Sequence, residues 1–319
     1  MSKQLHQSPY HIPVLLQPAV NMLITNPDGI YVDLTFGGGG HSREILNRLS
    51  ENGKLYAFDQ DDDAHSNAPD DCRFTLIKGN FRFFENYLRF HQTHQVSGVL
   101  ADLGVSSHQF DEASRGFSFR FDAPLDMRMD KTQTLMAQHV INDYKEEQLA
   151  DVLYLYGELK QSRQMAKEIV GNRKERKIIT TNDLQNVLKK WTNTHGKNLM
   201  AQVFQALRIE VNQELDALKE MLYQTPSVIQ PSGRLVIISY HSLEDRLVKN
   251  FIRSGNMEGH IKKDLFGNII APFKPLHLKA VMPDDDEICN NPRARSARLR
   301  TGERNNQPIE DSSKKQPIR

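Results

Sequence analysis

Apolar residues follow two different patterns along this chain. In the first hundred residues they form short continuous runs at 30–36, 55–59, 74–78 and 96–102. Uninterrupted runs of this length suit strands buried on both faces of a parallel sheet. Between them lie a helical pattern at 41–50, a short polar stretch at 61–69 and a second helical pattern at 81–91. This alternation predicts an α/β fold, a parallel sheet covered by helices. From about 116 to 224 no strand candidate occurs. A loop over 115–130 leads into helical spacing, with Leu149, Val152, Leu153 and Tyr156 on one face. Thr181-Asn182-Asp183 reads as a helix start ahead of 184–191. A long helix is expected over 198–223, with Leu199, Val203, Leu207, Val211, Leu215, Leu218 and Leu222 at steps of three and four and Pro226 just beyond it.

The sheet pattern resumes with a turn at Pro231-Ser232-Gly233, a strand over 234–240 and a helix over 243–253. Antiparallel strands are expected at 276–282 and 297–300. The predicted organisation is a discontinuous sheet domain of residues 1–114 and 225–304, an inserted helical domain of 115–224, and a polar, disordered tail of 305–319.

Composition narrows the class without deciding it. Of 319 residues, 38% are hydrophobic and 25% charged, enough for packed cores beneath a polar surface. A net charge of +1 neither favours nor excludes nucleic acid, so the distribution of charge must decide. The two cysteines, Cys72 and Cys289, stand outside any CxxC pattern. That argues against a disulfide scaffold or structural zinc and suits a reducing cytoplasm. Residues 1–13 lack a basic-then-apolar signal pattern, and no apolar run is long enough for a membrane helix.

The chemistry gathers where the predicted strands end. The first run passes into Gly37-Gly38-Gly39-Gly40 and His41, and the second closes on Asp59. A bare-backbone turn at a helix start, with an acid about twenty residues on, suits a nucleoside cofactor whose ribose hydroxyls the carboxylate takes. A triphosphate site would need a Lys-Ser/Thr pair after the glycines, and His41-Ser42 is not one. A dinucleotide fingerprint wants glycine where Ser42 stands, which weakens NAD and leaves S-adenosylmethionine. Asp102 closes the fourth run beside the turn, where it can reach a cofactor ammonium or an acceptor amine. Its alternative role is an Asx-turn into Gly104. Phe81 follows the third run and can lie on an adenine face or in the core. His241 ends the fifth run as a base contact or proton acceptor, while Ser242 can cap the helix that follows.

Two basic stretches suit phosphate: Lys160, Arg163, Lys167, Arg173, Lys174, Arg176 and Lys177, and the run Arg293, Arg295, Arg298 and Arg300. Each alone also fits a solvated face. Together, beside a nucleoside-cofactor site, they favour RNA or DNA as partner. Gln205, Arg208 and Asn212 share a helix face that suits either nucleic-acid contact or ordinary packing. An NAD-dependent oxidoreductase and a non-catalytic RNA-binding or ribosome-assembly factor are the rival readings.

Longer blocks carry a resemblance. They are His11 to Leu16, Asp33 to His41, Asp102-Leu103-Gly104-Val105-Ser106-Ser107, Arg115-Gly116-Phe117-Ser118-Phe119, Pro124 to Asp130, Arg208 to Leu215, Ser239 to Arg246, and Asn290 to Ser296. In this order, over nearly the whole chain, the sequence resembles the RsmH/MraW family of ribosomal RNA small-subunit methyltransferases. The resemblance implies a class I, Rossmann-like S-adenosylmethionine-dependent methyltransferase with an inserted all-helical domain. It implies methyl transfer to N4 of a cytidine, position 1402, in the decoding region of 16S rRNA in the small ribosomal subunit. By motif, Gly39, Gly40 and His41 would contact the cofactor, Asp59 the ribose and Phe81 the adenine, with Asp102 and Gln109 completing the pocket. His108 stands where the family has proline, and Gly38 occupies a variable position of the turn. Asp102 is the expected catalytic residue, for orientation or proton acceptance, and His241 the second candidate. The loop over 115–130 is the candidate lid, and no metal is expected.

Overall fold

The computed structural model describes residues 13–195 and 198–306, so the expected disorder beyond residue 306 lies outside the described residues. The chain divides into two compact units, residues 1–104 with 217–319, and residues 105–216.

The first unit is built on a seven-stranded sheet. Its strands are β1 (Ile30–Asp33), β2 (Lys54–Asp59), β3 (Phe74–Lys78), β4 (Val96–Asp102), β5 (Ile229–Ser239), β6 (Phe273–Pro275) and β7 (Arg298–Arg304). They lie in the order β3-β2-β1-β4-β5-β7-β6. The first five run parallel, and β7 pairs antiparallel with both β5 and β6. The chain winds outward from β1 to β3 and then returns to place β4 on the other side of β1. The carboxyl ends of β1 and β4 therefore flank the point where winding reverses, the usual ligand crevice of such sheets.

Side chains alternate between two cores with the period of the pleat. On one face Val32, Val99, Ala101, Leu235 and Ile237 pack with Phe84, Leu88 and Phe251. On the other Tyr31, Leu100, Val236 and Ile238 pack with Ala19, Leu23 and Ile45. Double-sided burial is why these strands read as unbroken apolar runs.

Three expectations change here. The turn Pro231-Ser232-Gly233 lies within β5 as a bulge: Val96 pairs with Ile229 and Gly98 with Arg234, and the residues between loop out through Ser232 at φ 65°. Residues 276–282 form no strand; only Val281 bridges to Leu299. Pro226 lies inside a helix, Glu214–Val228. Proline cannot donate to the carbonyl four residues back, that of Leu222, and the Thr225 hydroxyl donates to that oxygen instead at 2.7 Å.

The second unit is helical. Ala137–Asp143, Glu146–Leu155, Ser162–Arg173, Thr181–Val187 and Asn198–Asn212 enclose one core of Leu149, Leu153, Met165, Ile169, Val203 and Leu207. The long helix expected over 198–223 is two helices, parted at Gln213, whose φ is 50°. Leu218, Met221 and Leu222, on the second of them, pack into the sheet unit's core, so the division falls at Asp216 rather than after 224. Residues 105–114 likewise fall in the helical unit, with Val105 and Phe110 against its core.

The expected lid, 115–130, is part of that core. Leu125 and Met127 are fully buried, Arg115 donates to the Arg128 and Met129 carbonyls, and Met129 N–H donates to Asn212 Oδ1 at 2.7 Å. Among the described residues no helix is long and apolar enough to cross a membrane.

Candidate active site

The glycine turn joins β1 to the helix Gly40–Arg48. Gly37 and Gly39 adopt φ of 51° and 75°, where side chains are strained. Neighbours also press on the turn. A Cβ on Gly39 would come within 2.8 Å of the Phe36 ring, and one on Gly40 within 2.1 Å of Pro13. Bare backbone is therefore required by the fold itself, whatever it does for a ligand.

Asp59 ends β2 beside this turn. Its Oδ2 accepts the Gly37 N–H at 2.8 Å and its Oδ1 the Asp61 N–H at 2.8 Å. These bonds fix the carboxylate while leaving each oxygen a lone pair, the acceptor set a ribose diol requires. Burial raises its pKa to about 6 against the pull of both bonds. Phe81 starts the short turn after β3 and lies half-buried against the core on that face of the sheet. Asn80 holds that turn, accepting from the Arg82 N–H and donating to Gln60, the residue after Asp59.

Asp102 ends β4. Its N–H donates to Thr35 Oγ1 at 2.7 Å, stitching the ends of β1 and β4 together. Its Oδ1 accepts the Tyr240 hydroxyl at 2.8 Å, and its Oδ2 faces His41 Nδ1 at 3.8 Å. The ring's other nitrogen, Nε2, lies 3.2 Å from the Val14 carbonyl. Burial raises the Asp102 pKa to about 6; His41 and Tyr240 oppose the rise, and Asp33 and Glu244 add to it. Burial and the adjacent Asp102 in turn push the Tyr240 hydroxyl well above its ordinary value. Asp33, fully enclosed, accepts from Ser42 Oγ at 2.6 Å and the Thr35 N–H at 3.1 Å. Its pKa is raised by burial, with the His41 charge and these bonds opposing.

Gly39, Gly40, His41, Asp59, Phe81 and Asp102 thus all lie at the carboxyl edge of the sheet unit. Gln109 belongs to the other unit. It is buried, and with Ser106 it caps the helix Ser107–Asp111: Ser106 N–H donates to Gln109 Oε1 at 3.1 Å, and Gln109 N–H to Ser106 Oγ at 3.2 Å. The helix forms with His108, rather than proline, as its second residue.

His241 takes the cap expected of Ser242. Its Nδ1 accepts the Glu244 N–H at 3.4 Å at the start of Ser242–Ser254, and its Nε2 lies 3.3 Å from Glu244 Oε1, off hydrogen-bond geometry. One ring nitrogen is therefore committed to the helix.

Several cations read as phosphate contacts are engaged within the fold. Arg298 and Arg300 donate to the buried carboxylate of Asp245. Arg173 donates to the carbonyls of Ile141 and Tyr144. On the face expected to meet nucleic acid, Gln205 donates to the Tyr156 carbonyl, Arg208 pairs in both arms with Glu214, and Asn212 donates to the Met127 carbonyl. Lys160, Arg163, Lys167, Lys174 and Lys177 are exposed.

The sequence pattern does not single out Thr35, Val14 or Tyr240, and it marks Ser42 only as the residue standing where a third glycine would be. Thr35 and Tyr240 meet Asp102 across 67 and 138 residues of chain, so no local spacing announces them.

The pattern of the MraW methylase family matches residues 8–305. A ribosomal RNA small subunit methyltransferase H of Bacteroides fragilis is 53% identical over 299 residues, 93% of this chain and 98% of its own. The protein of that name from Flavobacterium johnsoniae is 56% identical over 296 residues, covering 92% and 98%. Among solved structures, TrmN from Thermus thermophilus aligns with 91% of this chain and 48% of its own at a TM-score of 0.42 and 10% identity. The chain belongs to the MraW methylase family, as an S-adenosylmethionine-dependent methyltransferase of the class I fold.

Proposed function

We propose that this enzyme methylates N4 of a cytidine in the decoding region of 16S rRNA, acting on the small ribosomal subunit. The name shared by relatives above 50% identity supports the RNA substrate. The observation that carries the chemistry is Asp102: a partly exposed carboxylate at the strand end beside the glycine turn, fixed by Tyr240 and poised at about pH 6.

The donor set fits the cofactor. Asp59 offers its two open lone pairs to the ribose, Phe81 its ring to the adenine, and Gly39, Gly40 and His41 line the turn. When bound, S-adenosylmethionine supplies a methyl group already activated on a sulfonium, so the protein's main task is alignment. Cytidine N4 is a poor nucleophile because its lone pair is drawn into the ring. Asp102 accepts a hydrogen bond from N4–H, directs the remaining electron density at the methyl carbon, and then takes the proton. A carboxylate poised near 6 is a better acceptor than one near 4 and is still ionised at neutral pH. His241, with one nitrogen capping a helix, is the weaker candidate. The target base must leave its stack, or already be unpaired, to reach this edge.

The test is incubation of the full-length protein with labelled S-adenosylmethionine and either naked 16S rRNA or purified small subunits lacking the modification, followed by mapping of the labelled nucleotide. Label on N4 of a decoding-region cytidine is expected, with subunits the better substrate. Label on another atom or another RNA overturns the reading. An RNA-binding assembly factor would instead bind subunits equally well without cofactor and yield no labelled product.

A further inference from the structure

Resting on the assignment of Asp102 as proton acceptor, we infer that His41 is the next stop for the proton, taking it from Asp102 through Nδ1. The Val14 carbonyl can only accept, so the ring nitrogen beside it, Nε2, carries the hydrogen. In the neutral ring Nδ1 is then a bare lone pair. It faces Asp102 Oδ2, another acceptor, at 3.8 Å. Two acceptors facing each other gain nothing until a proton enters between them. Closure of about 1 Å by rotation of either side chain would then make a charge-assisted hydrogen bond.

The surroundings favour a proton on this pair. Tyr240 donates to Oδ1 and leaves Oδ2 free for the ring. Asp33 and Glu244 are further acids acting on Asp102, and both raise its affinity for a proton. Asp33 is itself engaged by the Ser42 hydroxyl and the Thr35 N–H, and burial raises its own affinity for a proton. Exposure divides the labour: the His41 side chain is 6% exposed and that of Asp102 18%. Asp102 is thus the member that meets the amine and, afterwards, water, while His41 holds the proton out of reach of both.

The step balances. The N4 lone pair forms the bond to the methyl carbon as the carbon–sulfur bond breaks, its electrons remaining on a neutral thioether sulfur. The N4–H pair returns to nitrogen as the proton moves to Asp102. The proton passes on to His41 Nδ1, giving an imidazolium beside an ionised Asp102. After product leaves, it returns through Asp102 to solvent.

Two measurements on the full-length protein test this. Nitrogen NMR of labelled wild-type protein is expected to show the hydrogen of the neutral His41 ring on Nε2. A hydrogen on Nδ1 overturns the relay, whatever any variant does. Second, methyl transfer to small subunits at saturating cofactor is followed against pH for wild type and His41→Asn. Loss of the imidazole should lower the plateau rate about tenfold and raise the solvent isotope effect. It should also move the acid limb, because that limb then reports Asp102 alone rather than the Asp102–His41 pair. A lower plateau with an unmoved limb and isotope effect would mean His41 serves only cofactor placement, and the relay falls. If Asp102→Asn retains turnover, the acceptor assignment itself fails; if Asp102→Asn is inactive while His41→Asn matches wild type, only the relay fails.

Discussion

Asp102 carries a cost that its proposed role explains. A carboxylate raised to about 6 by burial favours folding in its protonated form. Its contribution to stability is fully present below the unfolded pKa, near 4, and is lost as pH rises through about 6. At pH 7.5 the ionised group therefore destabilises the fold by roughly 1–3 kcal/mol. Asn keeps an acceptor for the Tyr240 hydroxyl and has no charge to bury. Asp102→Asn should accordingly raise Tm, measured calorimetrically at pH 7.5, with the gain vanishing at pH 4, while turnover falls at least about 100-fold. A drop in Tm would mean the buried charge is compensated in the fold.

Burial raises the Asp59 pKa to about 6 as well, but its replacement by Asn carries a cost that replacement of Asp102 does not. Both its oxygens accept backbone N–H groups, so the NH2 of Asp59→Asn must face a donor, Gly37 or Asp61. The variant should loosen the turn and weaken cofactor binding roughly 100-fold by calorimetry, since each lost charge-assisted bond is worth about 1.5–3 kcal/mol. The acids, glycines and His41 of this site were legible because strand-end positions are local sequence features. Their partners were not, because Thr35, Val14 and Tyr240 arrive through sheet order, which no spacing encodes.

At the scale of elements, one ion pair joins two of them. Asp245, in the first turn of the helix after β5, accepts from Arg300 Nε at 2.5 Å and Nη2 at 3.1 Å, and from Arg298 Nη1 at 3.0 Å. Burial would raise its pKa, but the two arginines outweigh that and hold it below the ordinary carboxylate range. Asp245→Ala leaves Arg300, whose side chain is only 12% exposed, without its anion. Removing one partner of such a pair costs about 3–5 kcal/mol, so the urea midpoint should fall sharply; a change within 0.5 kcal/mol would make the pair a surface ornament. Most elements were readable in advance, the apolar strands most clearly, because burial on both sheet faces leaves an unbroken run. The misread ones share a cause: tertiary contacts override local pattern. One apolar stripe continues through Gln213, though its two halves pack into different cores. Arg298 and Arg300 looked like part of a phosphate site because the acid they pair with, Asp245, lies 53 and 55 residues away.

For the whole molecule, charge has to be counted after these internal pairs are removed. Net charge is +1 over the chain, yet Arg163, Lys167 and Lys174 remain exposed at helical spacing, opposite Met165, Ala166 and Ile169 in the core. Lys160 and Lys177 are exposed at either end of this stretch. A stripe of this kind binds phosphate by releasing counterions, so affinity for the small subunit should fall linearly with salt on logarithmic axes. Replacing Lys160, Arg163 and Lys167 together by Ala removes three such contacts. At about 0.7 per contact for single strands, the slope should shallow by about 2. Cofactor affinity should not change, because none of the three lies in the unit that carries the glycine turn and Asp59. Filter binding of subunits across a salt series, with calorimetry of the cofactor alongside, separates the outcomes. An unchanged slope would make the stripe an ordinary solvated face and move the search for the RNA contact to other basic residues. A loss of cofactor affinity would instead mean that the substitutions disturb the fold.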